Sequence, residues 1–401
     1  MHQLVIIGGG FAGLWAALTA AREANNHAAD VRITLVARDE YLTVRPRLYE
    51  VFTDAMRAPL GPVLTPLGIQ LKIGVATTLD TKAQSVDVRG DKGNVTLPYD
   101  RLVLAAGSEQ RPLEIPGAAE FSLNIDTFAG ARSFDQHLRE VLRSPARPGR
   151  LTFVIVGAGF TGIELATEMR NRLRAHSDPD TAREARVIVL ERENVIGPDL
   201  GANPRPHIET ALRDANIETY LGARLAKIER DAVTLASGER IATATVVVTA
   251  GLKAHSIATQ LGAELDGLGR AMVDPMLRVK GLPTAFAAGD IAHAQADEDH
   301  VALMSCQHAI PMGKFAGYNA AHDLLGLPLR AYSPPNYVTC LDLGDSGALF
   351  TQGRDRKPEQ FGPEVKSLKR MINTQWIYPP TGNRDTILTA ADLDAPRPPA
   401  V

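Results

Sequence analysis

The feature that most constrains this chain occurs twice. The stretch LVIIGGGFAGLWAA places Gly8, Gly10 and Gly13 as G-x-G-x-x-G, directly after the β-branched run Val5-Ile6-Ile7 and directly before helix-forming residues. FVIVGAGFTGIELATEM repeats the design with Gly157, Gly159 and Gly162. This order suits a dinucleotide: the first glycine makes a tight turn, the second leaves room for a pyrophosphate, and the third lets the helix approach the strand. The helix N-terminus then turns its free N–H groups toward the anion. Phe11 and Ala12, and likewise Phe160 and Thr161, lie between the glycines and join the two nucleotide sites. Each copy runs through a helix into a second β-branched strand, residues 31–36 and 187–190. Two complete βαβ fingerprints are a strong signal where one is weak. The predicted fold class is α/β, with two Rossmann-like dinucleotide-binding domains.

An apolar opening is also how an export signal begins, but such a signal needs a basic segment ahead of its apolar run. Only Met1, His2 and Gln3 precede this one, and the first Arg is Arg22, so the stretch is assigned to the nucleotide site. A formal charge of −3 with 22% charged residues gives no basic field to gather nucleic acid. No apolar segment is long enough to be a membrane span once the opening run is divided into strand, turn and helix. Two cysteines, Cys306 and Cys340, make neither a disulfide framework nor a C-x-x-C pair, and the expectation is a cytoplasmic protein.

Three further landmarks are strands that run into glycine. YDRLVLAAGS ends on Ala106 and Gly107, ATVVVTAGLK carries Gly251, and AFAAGDIAHA carries Gly289 and Asp290. In a flavin-binding fold a carboxylate placed like Asp290 accepts hydrogen bonds from the ribityl hydroxyls. The alternative is a plain β-turn, which Asp and Gly also favour.

The succession GGGFAG, RPRLYE, LVLAAGS, GAGFTGIELATEM, VTAGLK, AAGDIA and CQHAIPMGK resembles the two-dinucleotide-binding-domain FAD/NAD(P) oxidoreductases of the pyridine nucleotide-disulfide type. Within them it is most similar to the type II NADH:quinone oxidoreductases, over roughly residues 3 to 330. The resemblance implies FAD in the first domain and a nicotinamide nucleotide in the second, with the nicotinamide stacked on the flavin. The domains expected are an FAD-binding domain at 1–117 and 269–332 and an NAD(P)H-binding domain at 118–268. A C-terminal region at 333–401 follows, with a hairpin joined through Asp345-Ser346-Gly347 and a short amphipathic helix. That helix is predicted to set Val365, Leu368, Met371 and Ile372 on one face and Lys366, Lys369 and Arg370 elsewhere. The Ala-Pro-Arg-Pro-Pro-Ala-Val end is expected to be disordered.

Glu191 closes the second strand of the middle domain, where a carboxylate takes both ribose hydroxyls and repels a 2′-phosphate, so NADH is favoured over NADPH. Arg192 beside it leaves room for that phosphate, and an exposed Glu-Arg pair is the bland alternative. The first domain offers Ala37 at the equivalent place, so either Arg38 or Asp39 meets the adenosine, or water and backbone hold the ribose. In YLTVRPRLYEV, Arg45 or Arg47 meets the pyrophosphate or the reduced flavin, or both are solvated.

Pro311 is best tolerated in a first helical turn, which places Cys306, Gln307 and His308 at the mouth of a helix. The quinone reductases carry A-Q-x-A-x-x-Q here; Gln307 matches the first Gln, while Cys306 replaces the Ala and Met312 the second Gln. Cys306 reads as a small buried residue rather than a thiolate, because the sulfide:quinone enzymes need further cysteines. His308 is a candidate proton donor to the reduced acceptor. Glu164 resembles a family carboxylate near the nicotinamide, or is an acid placed by the helix dipole. No metal is expected.

The reading is an FAD-dependent NADH dehydrogenase that passes electrons onward to a quinone-type acceptor. Membrane contact is at most weak and peripheral, on the inner face, and a homodimer is left open. The alternatives are a soluble FAD-dependent oxidoreductase acting on a small organic substrate, and a slow-turnover redox-sensing flavoprotein.

Overall fold

The computed structural model describes residues 1–91 and 93–395; most of the tail expected to be disordered lies outside them. In chain order the elements that build the site begin with strand β1 (His2–Ile7), helix α1 (Phe11–Asn26), β2 (Val31–Ala37), β3 (Gln70–Ile73) and β4 (Arg101–Leu104). Next come β5 (Thr152–Val156), α2 (Phe160–Arg174), β6 (Arg186–Leu190), β7 (Ile217–Tyr220), β8 (Thr245–Val248) and β9 (Ala285–Ala287). Helix α3 (Cys306–Leu324), strands β10 (Val338–Asp342), β11 (Ala348–Gln352) and β12 (Lys357–Gly362), and helices α4 (Pro363–Met371) and α5 (Arg384–Ala390) complete the set.

Two parallel sheets carry the two fingerprints. The first has the order β9-β4-β1-β2-β3 and the second β7-β6-β5-β8. Their central strands are nearly continuous runs of Val, Ile and Leu because both faces are covered, one by helices and the other by a small antiparallel sheet: Val75–Asp80, Ser85–Gly90 and Gly93–Pro98 over the first, and Leu225–Ile228, Ala232–Leu235 and Arg240–Ala242 over the second. Strand β9, from far along the chain, pairs with β4 and so returns to the first sheet. After β4 and β8 the chain exits pair antiparallel, Ser108–Gln110 against Leu252–Ala254, and so tie the two halves together.

Helices α1 and α3 lie against one another on small residues. A Cβ at Gly313 would stand 2.2 Å from the Ala12 carbonyl oxygen, and one at Gly317 2.1 Å from that of Ala16. Any side chain at either glycine would push the helices apart, so their N-termini stay side by side at the carboxyl end of the first sheet. Helix α3 begins at Cys306 with Pro311 inside it rather than in its first turn. Cys306, Gln307 and His308 are nonetheless its opening residues, and the ladder bond lost at Pro311 falls in the second turn.

The C-terminal region departs from the sequence reading in three ways. Its sheet has three antiparallel strands, since the polar, proline-bearing β12 adds to the expected hairpin. A further short helix, α5, sets Ile387 into the core beside α1. Helix α4 does bury Val365 against Cys340, Ala348 and Phe350, but Met371 is exposed and Lys369 is only 5% exposed. The lysine placed off the apolar face points inward because buried carboxylates on α2 and β10 await it. Among the described residues, no helix is long and apolar enough to cross a membrane.

Candidate functional site

The two glycine turns have the same division of labour. Gly8 has φ +119°, and a Cβ there would stand 2.1 Å from the Ala105 carbonyl oxygen, while one at Gly13 would stand 1.7 Å from the Gly8 oxygen. In the second turn, Gly157 has φ +108° and a Cβ at Gly162 would stand 1.9 Å from the Gly157 oxygen. The outer glycines are therefore required by the fold itself. Gly10 and Gly159 differ: nothing of the protein lies within 4 Å of a Cβ built on either. A glycine that the protein does not need for its own packing, at the N-cap of a helix, faces space left for something else. Both helices start without a side-chain cap and without an acid in the first turn, so their leading N–H groups remain available to an anion.

The registers align the two second strands. Ile7 pairs with Val36 and Val156 with Leu190, so Ala37 and Glu191 occupy equivalent places one residue on. Ala37 is buried, and a Cβ on Gly9 would stand 2.7 Å from its own. Glu191 is also buried, with Oε2 accepting the Ala158 N–H at 2.8 Å and Oε1 the Glu193 N–H at 3.0 Å. The carboxylate fastens the second glycine turn. The exposed Glu-Arg pair is thereby excluded for Glu191, although Arg192 is exposed; Arg38 is exposed at the end of β2.

Gly289 and Asp290 follow β9 directly above the paired helix mouths. A Cβ on Gly289 would lie 2.8 Å from the Ala12 Cβ and 3.5 Å from that of Ala309, which brings both N-termini to this turn. Asp290 accepts a hydrogen bond from Ser108 Oγ at 2.6 Å and lies 3.6 Å from Arg45 Nη1. Burial raises the Asp290 carboxyl, with Arg45 and Ser108 opposing. Arg45 also donates to Ser108 Oγ at 3.0 Å and pairs with Asp126. Arg45 thus belongs to a polar group with Asp290, while Arg47 is neither solvated nor in that group: it binds Glu50, the Ala55 carbonyl and Tyr378. Ala106 and Gly107 lead from β4 toward Ser108, and the Gly107 oxygen accepts the His255 N–H. Across the same ladder the Gly251 oxygen accepts the Arg111 N–H, so these two glycines bracket the junction between halves.

Glu164, one turn into α2, is buried, and its Oε1 accepts the Asp342 N–H at 3.0 Å and lies 2.8 Å from Lys369 Nζ. Burial, partly offset by Lys369, pushes its carboxyl up to about 7. Lys369 loses stability as a cation through burial, but Glu164 and neighbouring groups more than restore it, and it is held above its ordinary value. The ammonium also reaches the Cys340 carbonyl at 2.9 Å and lies near the Phe160 and Tyr49 rings. Next to it Lys366 pairs with Glu168 and Asp342, and Asp342 accepts the Tyr49 hydroxyl at 2.9 Å. Lys366, Lys369, Asp342 and Tyr49 escaped the sequence reading, because their partners are distant in the chain.

The mouth of α3 completes the arrangement. Ser305 Oγ contacts His308 Nδ1 at 3.0 Å, and Gln307 Nε2 donates to the Asn336 carbonyl at 2.9 Å. The His308 ring lies 5.7 Å from that of Tyr337. Burial, with Arg354 adding to it, pulls His308 down to about 4, so its ring is neutral near pH 7. Burial pushes the Cys306 thiol up to about 11, the Lys369 ammonium opposing; the thiol is protonated and no poised nucleophile. Met312 is buried in the core.

Comparison with known proteins agrees with this geometry. The profile of the family described as pyridine nucleotide-disulphide oxidoreductase matches residues 2–313. An NADH dehydrogenase-like protein of Mycobacterium tuberculosis is 43% identical over 99% of this chain and 100% of its own length. A type II NADH:quinone oxidoreductase of the same organism is 29% identical over 90% of this chain and 80% of its own. Among solved structures, NDH2 of Plasmodium falciparum in complex with NADH superposes with a TM-score of 0.78 at 13% identity, covering 94% of this chain and 95% of that one, a likeness of fold. The chain therefore belongs to the pyridine nucleotide-disulphide oxidoreductases, with FAD and NADH as its cofactors.

Proposed function

We propose that this NADH-oxidising flavoprotein passes its electrons to a quinone-type acceptor. The observation that carries the reading is the meeting of the α1 and α3 mouths at Gly289, with the buried Glu164–Lys369 pair reaching them from α2 and α4. When bound, FAD supplies the ring that takes hydride from NADH and hands electrons on. In this reading residues 1–117 and 269–332 hold FAD and residues 118–268 hold NADH. Gly8, Gly10, Phe11, Ala12 and Gly13 receive the flavin pyrophosphate, and Arg38 lies toward the adenosine. Asp290, set by Ser108 and Arg45 beside Ala106, Gly107 and Gly289, accepts the ribityl hydroxyls. Gly157, Gly159, Phe160, Thr161 and Gly162 receive the NADH pyrophosphate, with Gly251 at the rim. Glu191 keeps lone pairs for the ribose and excludes a 2′-phosphate, which disfavours NADPH.

Glu164 and Lys369 set the charge where the two rings meet. A carboxyl near 7 beside an ammonium can hold or release a proton at the pH of turnover. Gln307 and neutral His308, at the uncapped start of α3, face the acceptor and offer hydrogen bonds to its oxygens. With Lys366 and Lys369 engaged internally, α4 keeps little basic charge for a bilayer, so membrane contact is peripheral and weak.

Anaerobic stopped-flow mixing tests the assignment. Gln307→Ala is expected to leave NADH reduction of the flavin nearly unchanged and to slow reoxidation by a short-chain quinone at least tenfold. Slowing of flavin reduction alone, or no quinone outpacing oxygen, overturns it. The burial of Met312, where the quinone enzymes carry a second glutamine, favours one rival, a small organic acceptor; an acceptor screen separates the two.

A further inference from the structure

At the end of α1 and α3 remote from the glycine turns, Glu23, His27 and His322 gather: one ligand atom from each lies within 4.8 Å of the other two. Glu23 and His322 are buried, and His27 is exposed at the C-cap of α1. His322 Nδ1 lies 2.8 Å from the Pro328 carbonyl oxygen, which can only accept, so Nδ1 carries the proton. In the neutral ring Nε2 then presents a lone pair, and it faces Glu23 Oε2 at 3.1 Å. Two acceptors at that separation repel unless a proton or a cation stands between them. A carbonyl that fixes the tautomer from behind is the usual outer partner of a metal-bound imidazole.

We propose that Glu23, His27 and His322 bind a divalent transition ion of the zinc class. Two imidazole nitrogens and one carboxylate oxygen favour such an ion over magnesium or calcium. With metal–ligand bonds of about 2.0–2.1 Å, tetrahedral ligands stand about 3.3 Å apart, close to the separation of Nε2 and Oε2. His27 follows Glu23 by one helical turn, so both project from one face, and its exposed ring can rotate inward. Arg22 donates to Glu23 Oε1 at 2.7 Å and is itself paired with Asp392, which leaves Oε2 for the metal. The Tyr318 ring stacks on His322 at 3.7 Å and holds it in place. Water completes the sphere on the open side. Because α1 runs about 24 Å from its first residue to its last, the ion braces the two helices and takes no part in electron transfer.

The test uses EDTA-treated holoenzyme, titrated with ZnCl2 by calorimetry and followed by thermal unfolding. Wild type is expected to bind one Zn2+ with a Kd on the order of micromolar or tighter, and to gain thermal stability on binding. Replacing exposed His27 (His27→Ala) should weaken binding at least tenfold and abolish the gain, with NADH reduction of the flavin unchanged. His300→Ala, at another exposed histidine, should leave binding intact. Equal Zn2+ affinity in wild type and His27→Ala overturns the proposal. So does the absence of binding, which would leave His322 Nε2 hydrogen-bonded to Glu23 alone.

Discussion

Lys369 Nζ stands 2.8 Å from Glu164 Oε1 in a site where both side chains are buried, joining α4 to the first turns of α2. The carboxyl is pushed up to about 7 by burial, with the ammonium as the main force holding it down. The pH profile of kcat/KM for NADH should therefore show an inflection near 7, absent in Glu164→Gln. Lys369→Met should move it to higher pH, because the opposing charge is gone. A purely structural pair would lower activity evenly at every pH, and that outcome would sink the assignment.

Substitutions at the middle glycines test cofactor binding apart from folding. A side chain at Gly10 meets no protein atom within 4 Å, whereas one at Gly13 meets the Gly8 oxygen at 1.7 Å. Gly10→Val is expected to fold with near-native circular dichroism and to lose its yellow colour. Gly13→Val should yield little folded protein. Full FAD occupancy in Gly10→Val would contradict the assigned site. Gly159→Val should likewise fold, but retain FAD while raising the KM for NADH tenfold or more.

Much of this was legible in the chain because it is local. A glycine turn between a β-branched strand and a helix is a contiguous signal, and Gly8 to Gly13 and Gly157 to Gly162 needed nothing remote to be read. Lys369 was illegible for the opposite reason. Helical periodicity put it off the apolar face, and the carboxyl that draws it inward, Glu164, belongs to another sheet's helix. Strand β12 was missed because Lys357, Pro358 and Glu359 deny it the apolar alternation of a half-buried strand; it forms as an edge, where such residues are tolerated. Pro311 misled slightly: it lies in the second turn of α3, where it removes one ladder bond, and not in the first.

Glu191 fastens the second glycine turn, and a double measurement separates that duty from the one proposed for it toward the ribose. Its oxygens accept the Ala158 and Glu193 N–H groups, so Glu191→Ala leaves a buried N–H without a partner at a cost of about 1–3 kcal/mol. Denaturant unfolding should show that loss with no nucleotide present. Steady-state kinetics should show the KM for NADH rising and the preference over NADPH narrowing. Lost stability with an unchanged preference would reduce Glu191 to a fastening for the turn.

Glu164 and His308 should conceal one another in the pH dependence of stability. Glu164, raised to about 7, contributes stability that is complete below its ordinary carboxyl value and is lost as pH rises toward 7. His308, lowered to about 4, contributes stability that is complete above its ordinary value of 6.5 and is lost as pH falls toward 4. The windows overlap and the signs oppose, so wild type should vary little between pH 5 and 7 on their account. Each shift corresponds to roughly 3 kcal/mol at most. Urea unfolding of single variants exposes them: relative to wild type, Glu164→Gln should gain stability as pH rises from 5 to 7, and His308→Asn should lose it. Parallel slopes in the two variants would show that one of these groups does not titrate as its burial demands.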